Sequence, residues 1–166
     1  SLGRPATRTI TSDATYQYDY AYNSLGQLDT LTYPTSTDGY RLKLAYEYQY
    51  GELSRIKDYN DPNTAPWQLN AMDAAGRVLD ETLGAGVRVV SGFNATTGRL
   101  SSRQAGVGGG SGIQNLSYIW DSNDNLIRRQ DDNQAPSVYE YFYYDNLDRI
   151  DYSQRNGVTN VDVAYD

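Results

Sequence analysis

The chain has 166 residues, no cysteine, no histidine and a formal net charge of −7. Without cysteine there is no disulfide framework, zinc–thiolate site or thiol nucleophile, and without histidine the commonest general base and metal ligand is missing. The acidic balance runs against binding a phosphate backbone, and no apolar run approaches the ~18 residues of a membrane span, so neither nucleic acid nor a bilayer is an expected partner.

Seventeen tyrosines stand against two phenylalanines. Tyrosine suits pleated, half-buried surfaces on which the hydroxyl stays wet. The first predicted strand places Tyr16, Tyr18, Tyr20 and Tyr22 in alternation with Thr15, Gln17, Asp19 and Ala21. The second alternates Leu42, Leu44, Tyr46, Tyr48 and Tyr50 with Arg41, Lys43, Ala45, Glu47 and Gln49. Period-two alternation is the signature of a strand with one apolar face. Leu116, Tyr118 and Trp120 repeat it, as do Val161, Val163 and Tyr165, whereas 137–144 is apolar on both faces, as if both were covered. Asp58 to Pro66 and Gly106 to Gly112 are expected loops, and no segment has amphipathic helical spacing.

Each strand runs into a recurring motif. Its copies are Tyr22-Asn-Ser-Leu-Gly26-Gln-Leu28, Tyr50-Gly-Glu-Leu-Ser-Arg-Ile56, Met72-Asp73-Ala-Ala-Gly76-Arg-Val78, the longer Phe93-Asn-Ala-Thr-Thr-Gly98-Arg-Leu100, Trp120-Asp121-Ser-Asn-Asp-Asn-Leu126 and Tyr144-Asp145-Asn-Leu-Asp-Arg-Ile150. The chain closes on Tyr165-Asp166 and opens on Ser1-Leu-Gly-Arg-Pro5, which joined make a further copy. Motif starts at 22, 50, 72, 93, 120, 144 and 165 are spaced by 28, 22, 21, 27, 24 and 21 residues. A period of this size marks a repeat architecture. The second position is usually Asp or Asn, which opens turns by bonding its own backbone two residues on. The fifth is Gly, Asp, Ser or, in the long copy, Gly98 one place later. The pattern predicts a turn, a residue of positive φ at Gly26, Gly76 and Gly98, a bulge and a return strand.

The whole of 1–166 is therefore expected to be one all-β array of tandem antiparallel hairpins. The split motif predicts that the array continues, covalently into flanking repeats or head to tail with a neighbouring chain through open strand edges. The tyrosine rows are expected to pack across strands, Tyr18 to Tyr22 against Tyr46 to Tyr50.

Other chemistries are weaker. Asp121-Ser-Asn-Asp-Asn125, with Asp132 at the twelfth place, has the start of a calcium loop, but Leu126 stands where the loop needs Gly. The glycine run at 106–112 lacks the Gly-Lys-Ser/Thr of a phosphate loop. Asp131, Asp132, Asp145 and Asp148 supply carboxylates, but an acid–base pair needs two of them in one cleft, and periodic turn use explains most of them. No catalytic residue, cofactor or metal ligand is expected. Asn94-Ala-Thr96 and Asn115-Leu-Ser117 match the N-glycosylation pattern.

The in-phase motifs, with 114–121 and 143–150 the clearest stretches, resemble the YD repeat of the RHS family, which includes the BC component of insecticidal toxin complexes and the teneurins. The resemblance covers essentially the whole chain. It implies that the hairpins form a long, curved, spiralling β-ribbon that makes a hollow shell, secreted or at the cell surface, which in bacterial members encloses a C-terminal toxin. Neither the toxin-cutting core of many bacterial members nor a toxin domain is recognisable here, so only a scaffold role carries over. Two alternatives stay open: an extracellular adhesion or glycan-binding module using exposed tyrosines, and a head-to-tail β filament unit.

Overall fold

The computed structural model describes residues 3–165. The motif positions Ser1, Leu2 and Asp166 lie outside the described residues. Among the described residues there are fourteen strands and one 3-10 turn, Gly84–Gly86. The strands are β1 (Thr7–Thr11), β2 (Thr15–Tyr22), β3 (Leu28–Thr32), β4 (Lys43–Gln49), β5 (Glu52–Asp58), β6 (Trp67–Met72), β7 (Val78–Leu83), β8 (Val87–Phe93), β9 (Leu100–Val107), β10 (Gln114–Trp120), β11 (Leu126–Asp131), β12 (Val138–Tyr144), β13 (Ile150–Arg155) and β14 (Val158–Asp162). They are hydrogen-bonded in the order of the sequence. The fold is all-β, a run of tandem antiparallel hairpins, because every connection is too short for a crossover. No described helix is long and apolar enough to cross a membrane.

The chain divides into two units, Ser1–Asn70 with Thr82–Ala85, and Ala71–Glu81 with Gly86–Asp166. In the first, strand register puts the apolar side chains on one face. Ile10 lies opposite Tyr16, Tyr20 opposite Leu31, Leu31 opposite Leu44, Tyr46 opposite Ile56 and Ile56 opposite Trp67. The other face is polar, with Asp19 opposite Thr32, Thr32 opposite Lys43 and Glu47 opposite Arg55. On it Arg41 pairs with Asp19 at 2.9 Å, and Lys57 pairs with Glu47.

The second unit places Val89 and Ala105, both buried, opposite each other, followed on that face by Leu116, Tyr118 and Trp120. Here β12 carries aromatics on both faces, as 137–144 predicts. Phe142 and Tyr144 lie with Trp120, while Tyr139, Tyr141 and Tyr143 point the other way, Tyr143 stacked on Tyr152 with centroids 4.2 Å apart. Cover is partial on that second face, since Tyr143 keeps 37% of its surface exposed.

Neither unit has a sealed core. Only Leu44, Val89 and Ala105 are buried apolar residues, and no large side chain is fully buried, among the described residues. A single layer of sheet leaves both faces in reach of solvent. Tyrosine tolerates this better than leucine, since its hydroxyl stays hydrated or finds a carbonyl.

Candidate functional site

Within each unit the motif turns lie along one edge of the hairpins, because alternate connections in an antiparallel meander emerge on the same side. Their local chemistry is shared. The second-position Oδ1 accepts two backbone N–H groups: from Leu25 and Gln27 at Asn23, Ala75 and Arg77 at Asp73, Asn123 and Asn125 at Asp121, and Leu147 and Arg149 at Asp145. The residue at the fifth position then turns left-handed, with φ of 79° at Gly26, 79° at Gly76, 72° at Asp124 and 57° at Asp148. In the longer copy Asn94 Oδ1 accepts from Thr96 and Thr97, and Gly98 takes φ of 73°. A bulge follows in the register, with Tyr22 opposite Leu28, Trp120 opposite Leu126, Tyr144 opposite Ile150 and Phe93 opposite Leu100. Asp73 and Val78 occupy the same positions at the ends of β6 and β7.

The second copy departs from this frame. Tyr50 and Gly51 both have positive φ, 53° and 91°, and Gln49 faces Glu52, so they form a two-residue hairpin loop of the primed kind. Tyr50 is 98% exposed and packs on nothing. The strand tyrosine of this copy is Tyr48, which lies opposite Leu53, and Ile56 sits deeper in β5 opposite Tyr46. The expected packing of Tyr50 is thereby corrected. Lacking Asp or Asn at its second position, the copy cannot build the usual turn, and a left-handed Tyr-Gly pair replaces it. Of the other tyrosines, Tyr18 meets Tyr33 edge-on at 5.8 Å. Tyr46 lies close to Tyr33, Tyr48 and Tyr20, and burial raises its phenol above the ordinary value.

Two sets of contacts join one motif to the next. The first uses the motif's leading aromatic. Tyr48 Oη donates to Leu28 O at 3.0 Å, Trp120 Nε1 to Leu100 O at 2.7 Å, Tyr144 Oη to Leu126 O at 3.0 Å and Tyr165 Oη to Ile150 O at 2.8 Å. The acceptor in each case is a carbonyl of the return strand of the preceding hairpin, at the residue that closes its motif. Tyr22 Oη donates to Pro5 O at 3.1 Å, which gives Pro5 the same closing role, and Gly3 has the left-handed φ of 70° of a fifth position. Burial raises the phenols of Tyr48 and Tyr144, where a charged oxygen would be stripped of water close to Asp29 and Asp121 respectively.

The second set uses the residue before the closing one. Arg4 Nη1 donates to Gly26 O, Gln27 Nε2 to Gly51 O at 2.9 Å, Arg77 Nη1 to Gly98 O at 2.5 Å and Arg99 Nη1 to Asp121 O. Asn125 Nδ2 donates to Asp148 Oδ1 at 2.8 Å. At three of the arginines the guanidinium also lies over the next motif's ring, at 5.4 Å for Arg4 on Tyr22, 4.6 Å for Arg77 on Phe93 and 4.1 Å for Arg149 on Tyr165. Arg77 and Arg149 reach back to Asp73 and Asp145 as well. The signal was present in the sequence as a long polar residue just ahead of each closing residue, but its role needs the neighbouring turn to be seen.

The carboxylates that might do chemistry are occupied. Hydrogen bonds from Arg77, Asn125 and Arg149 hold Asp73, Asp121 and Asp145 below the usual carboxylate range, so the calcium-like run at Asp121 spends its acceptors on its own backbone. Asp132 accepts from Gln130 and Ser137, Asp131 from Asn133, and Asp148 from Asn125. The arrangement is mechanical: within each unit, a ladder that fixes neighbouring hairpins to one another.

No family model matches the chain, and no curated protein matches it. The fold does match solved structures. In the crystal structure of TcdB2-TccC3-Cdc42 the match has a TM-score of 0.68 at 20% identity. In the Photorhabdus luminescens Tc holotoxin pore carrying a TccC3 mutation it is 0.69 at 21%, and in TcdB2-TccC3 without its hypervariable C-terminal region 0.69 at 20%. Each match covers 86% of this chain and 7% of that chain, so this chain corresponds to a small part of the proteins it matches. The shared property is the β-hairpin fold.

Proposed function

We propose that the chain is structural wall material of an RHS-type shell. Its partners are flanking repeats of the same or a neighbouring chain and, in a bacterial setting, an enclosed toxin domain. The observation that carries this is the double ladder, in which leading aromatics such as Tyr22, Trp120 and Tyr144 and sixth residues such as Gln27, Arg77 and Arg99 fasten neighbouring hairpins together. Units that bury their faces only against neighbours are built for propagation along an array. The likeness of fold to parts of Tc toxin chains supports the same reading. It assigns no catalytic residue and no cofactor, and it goes with a secreted or cell-surface location.

The test is electron microscopy of the intact polypeptide that carries these residues, combined with limited proteolysis. Closed hollow particles with a protease-protected segment are expected. Fibres lengthening with concentration would favour the head-to-tail filament instead. A second reading rests on the tyrosine row of β12 and β13, where the partly exposed Tyr143 stacks on Tyr152. Aromatic faces of this kind stack on sugars. A glycan array on the same preparation separates the two, since saturable binding lost in Tyr143→Ala belongs to adhesion and not to a wall.

A further inference from the structure

On the face of the second unit that carries Leu116 and Tyr118, a groove of about 320 Å³ crosses from β10 to β13. It lies at the small end of the range for ligand clefts, roughly 300–1,000 Å³. Strand register builds it from two rows. One runs from Leu116 through Asp131 to Val138, and the other from Arg129 through Glu140 to Arg155. Ile113 and Gln114 complete one end. The charges are unevenly committed. Arg129 donates to Glu140 Oε2 from Nε at 2.6 Å and from Nη2 at 2.5 Å, which closes both groups on each other. Asp131 accepts the Asn133 N–H at 3.0 Å. Arg155 faces Glu140 across the strands, yet Glu140 is taken, and the Arg155 guanidinium makes no side-chain hydrogen bond or ion pair among the described residues. The Gln114 side chain at the other end is likewise without a partner among the described residues.

We propose that this groove binds the carboxyl-terminal end of an extended, apolar peptide. A guanidinium presents a planar fork that suits a carboxylate, and a carboxylate is what the free Arg155 lacks. Leu116 and Val138 offer apolar contacts on either side of Asp131. Gln114 offers an amide that both donates and accepts, as a peptide bond requires. From β10 to β13 is three strand steps, ~14 Å, close to the length of four extended residues. The chemistry is independent of the shell reading, and its failure would leave that reading untouched.

The experiment is calorimetric or NMR titration of the whole chain with acetyl-Leu-Ala-Leu, its C-terminal amide and hexanoate. The peptide acid is expected to bind, with the amide at least about tenfold weaker, the loss that goes with removing a hydrogen bond to a charged group, and hexanoate at least about tenfold weaker for want of the peptide groups and side chains. Arg155→Gln should weaken the acid by a similar factor, Gln114→Ala by less, and Arg8→Gln on β1 not at all. Circular dichroism of each variant confirms that the sheet is kept. Equal binding of acid and amide, an unaltered affinity in Arg155→Gln, or no binding by the folded chain would overturn the proposal. Equal binding of hexanoate would overturn the peptide assignment in favour of any apolar carboxylate.

Discussion

Within each unit the two edges of the hairpin run are built differently. On the motif edge, side chains reach across to the next turn, as Arg77 does to Gly98 and Gln27 to Gly51. On the opposite edge the loops mostly fold on themselves. Asp61 caps Asn63 and binds Thr64, Ser36 binds Asp38 and Tyr40, and Asp131 caps Asn133. Arg41, reaching Gln17 O and Asp19, Tyr40, reaching Asp58, and Asn156, accepting from the Tyr139 N–H, are exceptions. The lesson is that one edge transmits order along the array while the other is free to vary in length. That is why the motif is periodic and the loops between its copies are not.

The comparison breaks most visibly if the motif edge proves replaceable. Trp120→Ala should cost about 3 kcal/mol, at the low end for a large aromatic because the ring is half-buried. Equilibrium denaturation measures it. Gly76→Val should cost about 2 kcal/mol, since a β-branched residue is strained at its φ of 79°. Gly112→Val on the opposite edge, with open space around the added atoms and no positive φ, should stay within about 0.5 kcal/mol. Equal losses at the two glycines would erase the distinction between edges. Arg77→Ala removes a carbonyl bond and a contact over Phe93, and should cost about 1 kcal/mol.

Acid sharpens the comparison further. Asp73, Asp121 and Asp145 have folded-state pKa values below their ordinary value, so their contribution is complete above about pH 4 and is lost as pH falls through the depressed values. The copies led by Asn23 and Asn94 carry no such titration. Stability measured between pH 5 and pH 2 should therefore fall less steeply in Asp121→Asn than in the parent chain.

Most of the fold was legible in the sequence, for a physical reason. Turn residues act locally, so Asp73 with Gly76, and Asp145 with a left-handed Asp148, announce their geometry within five residues. Alternation likewise gives the two faces of β2 and β4. The second copy was misaligned because Tyr48 and Tyr50 alternate equally well as strand residues, and only the left-handed pair Tyr50-Gly51 decides between them. The ladder was not legible, since Arg4 and Gly26, or Asn125 and Asp148, meet only after two hairpins have paired. The groove under Arg155 has the same origin, assembled from four strands of which none carries a signature alone.

The central claim is that Tyr22, Tyr48, Trp120, Tyr144 and Tyr165 each fasten a hairpin to the closing carbonyl of the motif before. Its most direct test is the denaturation midpoint of Tyr48→Phe, Tyr144→Phe and Tyr50→Phe, each of which removes one hydroxyl and nothing else. Tyr48→Phe and Tyr144→Phe should each lose about 1 kcal/mol with their bonds to Leu28 and Leu126, and Tyr50→Phe should lose nothing measurable. A loss at Tyr50 equal to that at Tyr48, or no loss at either Tyr48 or Tyr144, would contradict the account.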